Sequence, residues 1–489
     1  MTTAPEVLIA GAGPSGLLCA VELARRGIHC RILDARPGGP HVQTRCPTLW
    51  QRSLEVLSWA GVEVDRAEGL LPLRHKVFHI GGESAAVGVS APDAPFPEPV
   101  LLAQSRLERL LTERLAALGT LVEYGWEVLD AVDRGDGVDV VVRGPSGTTR
   151  TAAGWLVNAS GRSGPPALST GAGAAVQRGY QGTEWVLADV RVGGAGLPAD
   201  EEHIYRLEAG HAGLIPVSGG VHRLFLGVEG GATPSARAVA DTAAAITGLR
   251  IAPVPGTLWR TRPEGIVTDI RRSRRVLLVG DAAKRFPMPV HGLNSGLQDA
   301  FSLGWMLAGA IRDGDEGLPA EYAAERRAAA LALFERTDRI FGYGSAVDIA
   351  TLRGRLLARV VDMRTEPAVR HPPGRLVSDG AGEPLPAVPV RGAGPQGLFG
   401  LVRGAAEWSA VLLAAPEDHA AAETARILRR RLASRFPGRV RLLTAAPSGA
   451  RRPGGLMLVR PDGHVAWRGE AAEQEGLLGF LAGALRPGR

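Results

Sequence analysis

Two stretches, far apart in a chain of 489 residues, carry residue types suited to a polyphosphate and a sugar. The first is Gly11-Ala12-Gly13-Pro14-Ser15-Gly16, followed by Asp34 eighteen positions after the last glycine. Glycines at this spacing allow a tight turn at Gly11, close approach of a pyrophosphate at Gly13 and close helix–strand packing at Gly16. Asp34 can take the hydroxyl pair of a ribose. The second stretch spans residues 275–309 and contains Gly280-Asp281 and, further on, His291-Gly292-Leu293-Asn294-Ser295. Asp281 can accept from a ribitol or ribose hydroxyl. The free backbone N–H groups around Gly292 to Ser295 can hold a developing negative charge. His291, whose ordinary pKa permits acid–base work near neutrality, is the candidate catalytic residue.

Each stretch needs a strand and a helix to position it. A strand from Glu6 to Ala10, a helix from Leu17 to Arg26 ended by Gly27, and a strand from Cys30 to Leu33 frame the first. A lone GxGxxG is weak evidence, but in this βαβ frame with its acidic partner it specifies dinucleotide binding. In the second, Val276 to Val279 is of strand type, and Pro287 and Pro289 exclude helix from the loop at Phe286 to His291. From Leu293 the apolar residues Leu293, Leu297, Phe301 and Leu307 recur at helical spacing. Alone, this second stretch is also compatible with any βα unit, with Asp281 as a turn residue. The glycine motif does not decide between NAD and FAD, but two widely separated segments suit a long dinucleotide lying across one domain.

The length calls for two or three domains. At 45% hydrophobic and 22% charged residues the composition is that of a globular protein. Lysine occurs only at Lys76 and Lys284, so the positive charge is nearly all arginine. A net charge of +6 with no basic block or aromatic platform argues against nucleic acid as a partner. The basic run from Arg426 reads as the exposed face of one helix. Cys19, Cys30 and Cys46 show no CxxC or Cys/His spacing, so neither a disulfide framework nor a metal site is expected. The apolar opening lacks the basic start of a signal peptide, and its glycines have another use. No stretch reaches membrane-spanning length without a charge or breaker. No membrane partner is therefore expected, and a cytoplasmic location is the default.

In order and approximate spacing, GAGPSG, VGDAA and HGLNSGLQDA resemble the flavin-dependent aromatic hydroxylases of the para-hydroxybenzoate hydroxylase fold. Those enzymes carry an N-terminal GxGxxG, a distal strand ending in Gly-Asp, and a PxxxGxGxN helix start. The resemblance implies FAD, held by Gly11, Ala12, Gly13, Pro14, Ser15, Gly16, Asp34, Ala35 and Arg36. It further places Asp281 at the ribitol and Gly292, Leu293 and Asn294 against the pyrimidine end of the flavin, and adds Gly280 and Pro289 to the cofactor-binding set. Arg45 stands where the family has an arginine before a helix that crosses the cofactor. Gln104 matches a cofactor-facing glutamine, and Val128 lies on a strand whose edge meets the adenine.

The chain departs from the family pattern in two places. LVNASGRSGPP puts Ser160 where many members have aspartate. A serine hydroxyl donates or accepts but carries no charge, so weakened use of NADPH or NADH is expected. The loop PMPVHG is short, and Lys284 replaces a usual histidine. Cys46 lies near the expected flavin path, with no visible partner that would lower its pKa.

Outside the nucleotide segments, residues 74–100 and 176–265 alternate apolar and polar residues between turn signals, the pattern of an antiparallel sheet. They are read as a substrate lid, with Trp185, His203, Tyr205, His211 and Phe225 as candidates to line an aromatic pocket. A helical stretch runs to about Met363, and the Pro/Gly-rich residues 364–394 read as a linker. Residues 395–489 follow a β-α-β-β-α order, with a hairpin turning at Asp462-Gly463. This order resembles the thioredoxin-like C-terminal domain of phenol hydroxylases and polyketide-tailoring hydroxylases, here without redox cysteines. The expected fold class is α/β. A Rossmann-like FAD domain (1–73, 101–175 and 266–363) carries an inserted antiparallel-sheet substrate domain and is followed by the thioredoxin-like domain.

The implied activity is that of an FAD-dependent monooxygenase oxygenating a polycyclic phenol or quinone, with an aromatic polyketide as the expected substrate class. Its expected co-substrates are oxygen and NADPH or NADH, and a homodimer is allowed. The alternatives are a flavoenzyme with weak nicotinamide use that oxidises or rearranges a similar substrate, and a non-catalytic FAD-bound partner protein. A flavin halogenase is disfavoured because no tryptophan-rich signature is visible.

Overall fold

The computed structural model describes residues 4–39, 47–92, 94–165, 176–179, 183–207, 210–229, 234–261, 264–286, 291–341, 370–415, 417–448 and 455–485. A parallel five-stranded sheet forms the centre, in the order Val276–Leu278, Trp155–Asn158, Val7–Ala10, Cys30–Asp34, Val122–Tyr124. Val7–Ala10 is buried along its whole length, as a parallel strand covered on both faces must be. Helices Pro14–Ala24 and Gly292–Asp313 pack together on one face. A three-stranded antiparallel sheet (Glu127–Asp133, Val138–Gly144, Gly147–Ala153) covers the other, sharing a core with Leu8, Ala10 and Leu33. Cys19 and Cys30 are buried free thiols, and burial raises both pKa values.

The two lid segments join in one eight-stranded sheet. It is antiparallel except that Glu201–Leu207 runs parallel to His75–Ile80. The expected antiparallel sheet is thus mixed, because this pair joins two separate insertions and no hairpin dictates its direction. Period-two alternation divides the five aromatic and histidine candidates between its faces. Trp185 and Phe225 pack with Leu187, Ile215 and Trp50. His211 shares that face, since Ile204 opposes Gly213 and Arg206 opposes His211. Tyr205 and His203 lie on the opposite face, stacked with His79. There helix Ala236–Thr247 covers Tyr205, capped by Ser235 and ended by Gly248 at φ 71°.

The C-terminal segment has the expected element order. Its sheet runs Val440–Ala445, Trp408–Leu413, Gly455–Val459, Val465–Glu470, with Gly463 at φ 77° in the hairpin turn. The described part of the expected linker has neither helix nor extended strand, yet it is no solvent-exposed spacer. Leu376, Val377, Ala381, Val388 and Val390 are buried in the main core. Backbone bonds tie Gly382 to Val465, Leu385 to Gly463 and Ser378 to Ala466. The helical stretch expected between 342 and Met363 lies outside the described residues.

A buried charge cluster joins this segment to the nucleotide domain. Arg460 makes two hydrogen bonds to Glu325, at 2.7 and 2.8 Å, and a third to Asp462 at 2.6 Å. Asp462 also accepts from Trp305 Nε1 at 3.0 Å, while its backbone oxygen accepts from Arg52 at 2.6 Å. His371, Asp462 and His464 place ligand-type atoms within 4.8 Å of one another. Arg460, Trp305 and His464 already engage both Asp462 carboxylate oxygens, so the group is a charge-compensated core. It fixes helices Gln51–Trp59 and Gly292–Asp313 to the C-terminal hairpin.

Candidate active site

The two nucleotide segments meet in space. Gly11 holds φ 104°, a conformation that favours glycine, and a Cβ there would strike Ala159 and Ser160. A Cβ on Gly16 would collide with the Gly11 carbonyl oxygen, whereas one on Gly13 would meet nothing within 4 Å. The turn is closed on two sides and open at Gly13, where a pyrophosphate can approach. On the far side, Ser15 Oγ lies against both Gly280 and Gly296. The first helix, the Gly280–Ala282 turn and the later helix therefore converge on one point.

Both helix starts have the character of anion sites. Neither Gly13 nor His291 provides a side-chain cap, and neither helix has an acidic residue in its first turn. The first-turn N–H groups, which lack intrahelical partners, leave partial positive charge there. Asp281 sits in the turn facing the second helix, its Oδ1 3.2 Å from where a Gly292 Cβ would be. These features fit FAD. An open cradle with uncapped N–H donors suits its pyrophosphate, and two carboxylates suit its ribose and ribitol hydroxyls.

Asp34 stands at the end of its strand and accepts from Ala12 N at 2.7 Å and Arg36 N at 2.9 Å. Arg36 adds side-chain bonds of 2.8 and 3.1 Å. Burial pushes the Asp34 carboxyl up, but these hydrogen bonds outweigh it and hold the group below its ordinary range. Arg36 continues to Glu108 at 3.0 Å, and Glu108 accepts from Gln104 at 2.9 Å. Three expected cofactor residues (Asp34, Arg36 and Gln104) thus share a network through Glu108. Sequence reading missed Glu108, although its place four residues after Gln104 sets both on one helix face.

Other expected residues behave differently. The Val128 side chain is buried among Leu8, Leu33 and Val140, leaving only its backbone to meet a ligand. The Asn294 side chain accepts from Trp50 N and donates to Thr48 O, both at 3.0 Å. It pins residues 48–50 to the helix start, which leaves its backbone for a cofactor. Leu293 packs on the main core. His291 precedes the helix with its ring edge-on to Phe286, centroids 5.9 Å apart. Arg45, Cys46 and Pro289 lie outside the described residues. Ser160 bonds Asn158 Oδ1 through its backbone N at 3.0 Å and its hydroxyl at 2.6 Å.

Beneath the turn, Asp299 accepts from Gly280 N at 3.3 Å and Arg326 at 2.6 Å, and pairs with Lys284. Burial of the lysine outweighs the attraction of Asp299 and lowers its pKa to about 8. The residue standing in place of the family histidine is therefore a buried cation that secures the turn.

The chain matches the FAD binding domain family over residues 4–337 and the aromatic-ring hydroxylase C-terminal family over 378–486. It is 30% identical to 12-dehydrotetracycline 5-monooxygenase/anhydrotetracycline 6-monooxygenase of Streptomyces rimosus subsp. rimosus, over 98% of both chains. To 6-methylpretetramide 4-monooxygenase of Streptomyces rimosus it is 33% identical, over 66% of this chain but only 59% of that relative's length. Among solved structures, BexE, described for oxidation during BE-7585A biosynthesis, aligns with a TM-score of 0.73 and 28% identity over 99% of both chains. No described helix is long and apolar enough to cross a membrane. With both family models matched in order along one chain, the chain belongs to the FAD-dependent aromatic-ring hydroxylases.

Proposed function

We propose that the protein is an FAD-dependent monooxygenase that inserts one oxygen atom into a polycyclic phenol or quinone of the aromatic polyketide class, reduced by NADPH or NADH. The observation that carries this reading is the convergence of two uncapped helix starts and Asp281 on one point, with Trp50, bonded to Asn294, packed into an apolar cluster of the lid sheet. FAD, once bound and reduced, supplies the activation of oxygen. Gly11 to Gly16 hold the pyrophosphate, Asp34 the ribose and Asp281 the ribitol. The helix start at Gly292 stabilises negative charge at the flavin's pyrimidine end. Residues 74–100 and 176–265 act as the substrate domain, whose Trp185, Leu187, Ile215 and Phe225 exclude water from the reacting centre. His291, at the mouth of the helix, exchanges a proton with the substrate or with solvent.

A second reading has one observation in its favour. The Ser160 hydroxyl is spent on Asn158 and no carboxylate occupies its position, which favours an enzyme reduced by its own substrate. Anaerobic rapid mixing of the flavoprotein with NADPH or NADH separates the two. Bleaching by a nicotinamide, accelerated by a polycyclic phenol, supports the monooxygenase. Bleaching by a quinol alone supports the second reading.

A further inference from the structure

Lysine is used at two positions in 489 residues, and both side chains are buried beside a buried carboxylate. Lys284 belongs to the cofactor turn. Lys76 is 8% exposed, lies 3.1 Å from Glu202 (3% exposed), and carries its ammonium 4.7 Å from the centre of the Trp50 ring. The lid register fixes where this pair points. Glu202 opposes Lys76, and Ile204 opposes both Phe78 and Gly213. Gly213 opposes Phe225, which opposes Leu187. Directly opposed residues share a face, so Lys76 and Glu202 lie on the Phe225 and Trp185 face, the wall turned toward Trp50.

Trp50 in turn is tied by its backbone N to Asn294 in the first turn of the helix that begins at Gly292. Its indole Nε1 is buried and makes no hydrogen bond among the described residues. The same face also carries the Arg223–Asp189 pair and His211, but Lys76 and Glu202 are the ion pair set beside Trp50, which leads through Asn294 to the helix start. A buried ion pair is seldom retained for stability, since apolar replacements of similar volume are often neutral or better. A buried unpaired N–H carries a desolvation penalty until something accepts from it.

We propose that Lys76 and Glu202, beside the Trp50 indole, form the site that ionises and holds a hydroxyl group of the aromatic substrate. This rests on the monooxygenase reading above. The substrate O–H donates to the Glu202 carboxylate while its oxygen accepts from the Lys76 ammonium. The proton passes to Glu202, the electron pair of the broken O–H bond stays on the substrate oxygen, and Lys76 stabilises that anion. An ionised hydroxyl makes the ring carbons ortho and para to it more nucleophilic, which is what oxygen transfer needs. Lysine suits the position because its ammonium is a compact point charge, whereas an arginine fork would favour a bidentate carboxylate.

The test is an absorbance titration of 1,2-dihydroxyanthraquinone, whose ionised form absorbs at longer wavelength, bound to the FAD-loaded protein. Wild type, Lys76→Met, Lys76→Arg and Glu202→Gln are compared at saturating protein, with flavin content and melting temperature recorded for each. The bound hydroxyl of the wild-type complex should ionise at least one pH unit below that of the free probe, a tenfold shift in equilibrium. Lys76→Met should abolish the shift and Lys76→Arg retain part of it. Glu202→Gln should move the ionisation of the bound hydroxyl to still lower pH, because a negative neighbour is gone. Opposite signs in the lysine and glutamate variants would not arise from a structural pair, which would fail in the same direction. Absence of probe binding, or an unchanged bound spectrum in Lys76→Met with full flavin content, would overturn the proposal. If the probe behaves as expected but no hydroxylation occurs with any phenol, the monooxygenase reading fails and the ionising site stands.

Discussion

Acidification should weaken the joint between the nucleotide domain and the C-terminal segment through two buried histidines. His371 and His464 are 1% and 4% exposed, and their rings lie tilted by 55° with centroids 4.1 Å apart. Burial lowers the His371 pKa to about 4; Glu325 opposes the shift, and Arg460 and Arg326 assist it. Burial likewise holds His464 well below its ordinary value, assisted by His371 and Arg52 and opposed by Asp462. A depressed folded pKa means that the unfolded chain binds more protons between about 6.5 and 4. Stability from these groups is therefore complete above pH 6.5 and is lost as pH falls through that window. For His371 the loss between pH 7 and 5 is about 2 kcal/mol, and His464 acts in the same direction. The assay is denaturant unfolding at both pH values, followed by tryptophan fluorescence, because Trp305 bonds Asp462 and lies 5.2 Å from Arg460. His371→Gln should lose about 2 kcal/mol less than wild type over this interval. Parallel losses in both proteins would refute the assignment.

Three further outcomes follow from the geometry. Arg460→Met strands Glu325 and Asp462 as buried carboxylates without their shared cation. It should cost about 3–5 kcal/mol, read as a lower melting temperature and proteolysis between residue 370 and the hairpin. Gly16→Ala drives a methyl group into the Gly11 carbonyl oxygen, so the purified protein should lack flavin absorbance; a yellow variant of wild-type stability would contradict the cradle. Asp281→Ala removes an acceptor for a cofactor hydroxyl and should weaken FAD binding by roughly tenfold to a hundredfold. Equilibrium dialysis reads that loss.

Where backbone geometry restricts residue type, the sequence was readable. Only glycine serves at Gly11, Gly16 and Gly463, so the dinucleotide turn and the hairpin are written as glycine spacing. Strand alternation likewise marked the lid, but alternation does not say which face points inward. That is why Tyr205 and His203, grouped with Trp185 and Phe225 by composition, lie on the opposite side. Residues 370–390 have no period, because their core contacts come from single side chains held by backbone bonds to the hairpin; composition alone makes them a spacer. Glu108, Asp299 and the Lys76–Glu202 pair were invisible for another reason. Each acts through a partner brought close by tertiary packing, and the last pair spans a parallel register between two separate insertions.

One isotope experiment decides whether the enzyme inserts oxygen into its substrate. The FAD-loaded protein is supplied with NADPH, a polycyclic phenol and oxygen enriched in the heavy isotope, and the organic product is weighed by mass spectrometry. A monooxygenase gives a product that has gained a single labelled oxygen atom. An oxidised or rearranged product without label, formed while the flavin cycles, would contradict that activity.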